Sequence, residues 1–206
     1  MSANASKRII AYIIDFIFIT AILMIVSYFI PKNSNVEFLN NDINNLTEQA
    51  LNGEITFDAY AREYSIYLSS IDSENIVYNV AGLIIMLIYY VIIPVIFKAT
   101  LGKYIMKLEI RHKDSKKLNL FNTFTRSIVT EGMLYSLVTI FLVQIVSSNT
   151  YLISLIILGF IQFILVITSL FMILYRHDKR GLQDILSRSI VVDKEVKEWE
   201  NLQNKN

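Results

Sequence analysis

The stretch Lys7-Arg8-Ile9-Ile10-Ala11-Tyr12-Ile13-Ile14-Asp15-Phe16-Ile17-Phe18-Ile19 decides the fold. It opens an apolar run that reaches Ile30. A helix over 9–30 is long enough to cross a bilayer, which needs roughly 20 residues. The one charge inside the run is Asp15. An ionised, unpaired carboxylate at that depth costs about 3 kcal/mol or more, so Asp15 must face protein or water. Arg8 stands two helical turns earlier, on the same side of the helix. Arg8 reads either as a positive flank of the span or as a partner in a polar site. Asp15 reads either as a packing group or as a working one.

Composition supports a membrane protein. Hydrophobic residues make up 54% of the 206 and charged residues only 18%, against about a quarter charged in soluble domains. There is no cysteine, which rules out disulfides, thiolate metal sites and a Cys nucleophile. The two histidines, His112 and His177, both lie beside charged segments. No Ser/His/acid spacing points to a nucleophile, so the expectation is no enzyme and no cofactor, with metal binding left open. Gly102-Lys103 lacks the glycine-rich lead of a phosphate loop. No basic face stands apart from the membrane flanks, so nucleic acid is not an expected partner.

Outward from the first helix, the pattern predicts an all-α fold: a polytopic membrane protein with four transmembrane helices in a bundle and an extracellular helical insert between helices one and two. The predicted spans are 9–30, 76–97, 127–146 and 151–175, in a single domain over 1–206. The apolar run is longer than a signal-peptide core and no small-residue cleavage pattern follows Ile30, so it reads as a retained helix. Pro31 ends that helix. The insert, 31–75, carries two amphipathic patterns separated by Asn52-Gly53, with Thr56 as N-cap of the second. Pro94 should disturb only the last turn of helix two. In the basic loop, 98–126, Leu108-Glu109-Ile110-Arg111 alternates like a short strand, with Asp114-Ser115 available to turn it. The tail, 176–206, holds a second strand candidate at Ile190-Val191-Val192 and an exposed helix from Asp193 onward with Trp199.

Charge sets the expected orientation. The basic loop from Lys98 to Arg126 has eight Lys/Arg and two acids, whereas the insert has two Lys/Arg and eight acids. Lys and Arg near span ends mark the cytoplasmic side. Both termini and the loop are therefore expected in the cytoplasm of a cell with this plasma-membrane protein, and the insert outside. The basic loop also suits anionic lipid heads, at about 1 kcal/mol per cation.

Three motifs resemble one family. Arg8-x-x-Ala11-x-x-Ile14-Asp15 is similar to the start of the RDD family of bacterial membrane proteins. Thr100-Leu101-Gly102-Lys103, running on to Ile110, is similar to that family's segment after its second helix. Arg180-Gly181-Leu182-Gln183-Asp184-Ile185-Leu186, followed by Ile190-Val191-Val192, is similar to its closing motif. The resemblance implies that Arg8, Asp15 and Asp184 are the arginine and two aspartates behind the family's name. Arg126 matches a basic position common in the family. The long acidic insert and the tail past Asp193 depart from the pattern. The resemblance further implies ion transport, with sodium/proton exchange among the proposed activities.

The residues alone place Asp15 and Glu131 at similar depth inside helices one and three, with Arg8 and Arg126 at the two mouths. Such a group is either a compensated cluster or a cation or proton site, because burial raises a carboxyl's proton affinity. Asp184 is expected to latch the tail to an arginine. The leading expectation is transport of a small ion or solute, with cation/proton exchange as one form, through Asp15 and its neighbours. Four helices make a thin wall, so a homo-oligomer in the lipid bilayer is expected. The alternative is a scaffold, immunity or assembly factor that binds a membrane or extracellular protein through the insert.

Overall fold

The computed structural model describes residues 3–30, 34–114 and 116–194. Pro31, Ser115 and the tail beyond Lys194, with Trp199, lie outside the described residues, so the proposed stop, turn and tail helix are not addressed. The elements run α1 (Ala5–Phe29), α2 (Ser34–Leu51), α3 (Phe57–Glu74), α4 (Ile76–Leu87), a π-helical turn (Ile88–Ile92), α5 (Ile93–Phe97), α6 (Leu101–Ile105), β1 (Leu108–His112), α7 (Leu120–Thr130), α8 (Met133–Ile145), α9 (Ser148–Tyr175), α10 (Leu182–Leu186) and β2 (Ser189–Asp193). Among the described residues, three stretches are long and apolar enough to cross a membrane: Ala5–Phe29, Ile76–Ile105 and Ser148–Tyr175. The bent pair α7 and α8 makes a fourth if counted as one span.

The burial pattern is inverted relative to a soluble protein. On α1 the buried residues are Arg8, Ala11, Asp15 and Ile19, at helical spacing on one face. Phe16, Ile17, Met24 and Ile25 are exposed. A helix that hides Arg8 and Asp15 and shows most of its large apolar side chains fits hydrocarbon outside and polar protein inside.

The chain forms two compact units. One comprises Met1–Met24, Ile84–Leu134 and Gln162–Asn206, and the other Ile25–Leu83 and Tyr135–Ile161. The first contains a two-stranded antiparallel sheet, β1 with β2, in which Ile110 faces Val191. The N-terminal strap joins it through Ala3 N, which donates to Val191 O at 2.8 Å. Leu108, Ile110, Val191, Ala3 and Ala11 form its buried apolar core. The two strand candidates therefore pair with each other across 77 or more residues, and the described residues are helical with one small sheet.

Pro94 acts earlier than expected. Proline has no N–H, so the carbonyl four residues back loses its helical donor. That carbonyl is Tyr90 O, and the Ser127 hydroxyl of α7 donates to it at 3.1 Å. The helix widens to π over Ile88–Ile92, just before the proline, as helices do where the ladder is interrupted.

Helix three differs from the straight span expected at 127–146. Asn119 caps α7 at 2.8 Å from Asn122 N, so the helix begins at Leu120. It then stops at Glu131-Gly132, and α8 leaves at 81°. Gly132 has φ +72, a left-handed conformation that side chains other than glycine adopt only at a cost. In the second unit α2 and α3 form the two amphipathic helices of the insert. Thr56 caps α3 by accepting from Ala59 N. Ser65 of α3 donates to Ser148 O at 2.5 Å and accepts from Leu152 N at 3.0 Å.

Candidate functional site

Asp15 is fully buried on α1, the helix that carries it beside α6. Its Oδ1 accepts from the Tyr89 hydroxyl at 2.5 Å and from Gly102 N at 2.7 Å. Its Oδ2 accepts from the Thr100 hydroxyl at 2.5 Å and from Lys103 Nζ at 3.3 Å. A carboxylate offers about four lone-pair positions, and here all four are taken. The backbone approach requires glycine at 102: a Cβ there would strike the Ala11 carbonyl and sit 2.9 Å from Asp15 Cγ. Thr100, Gly102 and Lys103 thus form a preshaped cradle for one carboxylate.

Asp184 is the second fully buried acid. Its Oδ2 accepts from Arg8 Nη2 at 2.5 Å and from Gly181 N at 3.0 Å. Its Oδ1 accepts from Arg126 Nη1. Arg8 also donates to Lys179 O at 2.6 Å, and Arg126 to Ser189 Oγ at 3.1 Å. One carboxylate therefore joins α1, α7 and the α10–β2 segment. Burial pushes the Asp184 carboxyl up, but Arg126 and Arg8 outweigh it and hold the group below the usual carboxylate range.

Glu131 sits at the break between α7 and α8, apart from both networks. Its Oε1 accepts from the Thr130 hydroxyl at 3.3 Å. Its Oε2 is closed to solvent and has no hydrogen-bond partner among the described residues. It lines a cavity of about 200 Å³ together with Arg8, Tyr12, Lys103 and Arg126. Arg126 Nε, also buried, has no acceptor.

The structure thus separates the five residues singled out in the sequence. Arg8, Arg126 and Asp184 meet in one fork. Asp15 lies with Tyr89, Thr100, Gly102 and Lys103, and neither arginine is among its hydrogen-bond partners. Glu131 faces the cavity. Sequence reading missed Tyr89, Thr100 and Lys103 as partners of Asp15. The available signal was a lysine at the end of an apolar helix in a chain with a buried acid, a pairing that intramembrane charges require.

No curated protein and no solved structure matches the chain. The model of the RDD family matches residues 2–188, a span that takes in the Asp15 cradle and the Asp184 fork, and the chain belongs to the RDD family of membrane proteins.

Proposed function

We propose that this membrane protein carries a small ion or solute across the bilayer, and that Glu131 is the group that binds and releases the coupled proton. The observation that supports this is Glu131, whose buried Oε2 has no hydrogen-bond partner among the described residues and which lines a cavity of about 200 Å³ together with Arg8, Lys103 and Arg126. A buried carboxylate without its full set of partners is costly, and intramembrane acids mark ion and proton paths by default. Asp15 is the weaker candidate, because its four donors leave no lone pair for a cation. On this reading the Asp15 cradle and the Asp184 fork hold the cavity wall. No catalytic step is assigned. The chain sits in the plasma membrane with both termini and the basic loop in the cytoplasm, and a homo-oligomer completes the wall of the path.

The test is flux in proteoliposomes with a pH-sensitive dye inside, adding sodium, potassium and simple anions in turn. Wild type gives an ion-dependent proton signal and Glu131→Gln abolishes it. No signal with any ion in wild type, or an unchanged signal in the variant, rejects the reading. A second reading rests on the insert, where Phe38, Leu51 and Phe57 stand exposed among acids. There the protein is a scaffold, immunity or assembly factor that binds a protein through the α2–α3 hairpin, and Glu131→Gln leaves its function intact.

A further inference from the structure

The charges around the cavity limit what it can hold. Arg8, Lys103 and Arg126 line it. Asp184 answers both arginines, and Asp15 answers Lys103. Three cations against two committed carboxylates leave one positive charge, and ionised Glu131 cancels it. Among the described residues, the charged or titratable groups that act on Glu131 are members of this set and tyrosines. From α1 come Asp15 and Tyr12, from the π-helical turn Tyr89 and Tyr90, from α6 Lys103, and from α7 Arg126. The α9 residues at the cavity, such as Val166 and Ser169, do not titrate.

A metal cation entering here meets three fixed cations and finds Asp15 and Asp184 already occupied. An anion meets the opposite situation once Glu131 is protonated, because the excess positive charge is then uncovered. Side-chain chemistry leads the same way. Arg8 and Arg126 both line the cavity, and a guanidinium suits a carboxylate. The remaining wall is mostly apolar, with Ile9, Val166, Leu170 and Ile173. At roughly 30 Å³ per water the space equals about seven waters, enough for a carboxylate with a short hydrocarbon body.

We infer that the cavity binds a small monocarboxylate together with one proton on Glu131, so that the ligand enters as a neutral pair. The inference rests on the transport reading above and names its cargo. The proton comes from solvent and returns to it when the anion leaves, with no bond made or broken beyond that O–H.

The test is saturable binding of radiolabelled propionate to the full chain in lipid nanodiscs. The comparison runs between about pH 6 and about pH 8, a range in which a simple carboxylate stays ionised. Wild type binds more tightly at the lower pH, by up to about tenfold per pH unit once Glu131 is ionised. Glu131→Gln is neutral at both values, so it binds with the low-pH affinity throughout. Equal wild-type affinity at the two values, absence of saturable binding, or loss of binding in the variant overturns the inference. If propionate fails to bind but sodium drives a Glu131-dependent proton flux in vesicles, the cargo is wrong and the transport reading stands. If neither occurs, both fall.

Discussion

At Asp15 all four acceptor positions are filled, and one of the donors is a buried ammonium. Asp15→Asn leaves Lys103 without its counter-charge and turns an amide N–H toward donors. Breaking a buried ion pair from one side costs about 3–5 kcal/mol. The variant should therefore lose most of its resistance to thermal or detergent denaturation, with flux falling only as folded protein falls. A variant of wild-type stability but no flux would make Asp15 a working group and reverse the role given to Glu131. Asp184 yields a pH effect whose sign is fixed by its lowered affinity for protons. Above the unfolded value of about 3.9, the ionised form is favoured in the folded chain and its full stabilisation is present. As pH falls below about 4 toward the lower folded value, that contribution is lost. Denaturation midpoints measured between pH 7 and about pH 3 should drop in wild type. Asp184→Asn, which has no charge to lose, should start lower and show a flatter acid limb.

Among the elements, what could be read from sequence depended on whether a signal was local. Apolar runs and the Thr56 cap are local, so α1, α9 and the α2–α3 hairpin were legible. Alternation marked β1 and a short β-branched run marked β2, but neither showed that they are partners, because nothing short-range in a loop and a tail encodes their register. The bend at Glu131-Gly132 was hidden inside a continuous apolar pattern, where one glycine at φ +72 outweighs the periodicity on either side. The same limit applied to the site. Arg8 and Asp184 stand 176 positions apart, and their pairing is fixed by how α1, α7 and α10 pack. Similar depth along helices one and three suggested that Asp15 and Glu131, with Arg8 and Arg126 at the two mouths, would form one cluster. Depth fixes only one coordinate, and the side on which each residue faces decided otherwise. The bend does one further thing: it places Glu131 at a break in the helix rather than inside it, where no helical neighbour supplies a donor to Oε2.

For the molecule as a whole, orientation in the bilayer is the property on which the functional reading turns, and the absence of cysteine makes it measurable. The orientation proposed above rests on eight Lys/Arg from Lys98 to Arg126 against two in the insert. The eight acids of the insert add little to it, because Lys and Arg rather than net charge set that choice. Glu54, in the turn between α2 and α3, and Lys116, in the basic loop, are both exposed. Single substitutions Glu54→Cys and Lys116→Cys should leave the fold intact, since surface changes away from caps and cores are usually worth about 0.5 kcal/mol or less. In intact cells a membrane-impermeant maleimide should label Glu54→Cys at once, and label Lys116→Cys only after permeabilisation. The opposite pattern would put the insert in the cytoplasm. Arg8, Lys103 and Arg126 would then stand at outward mouths, and the proton on Glu131 would be drawn from the other side of the membrane.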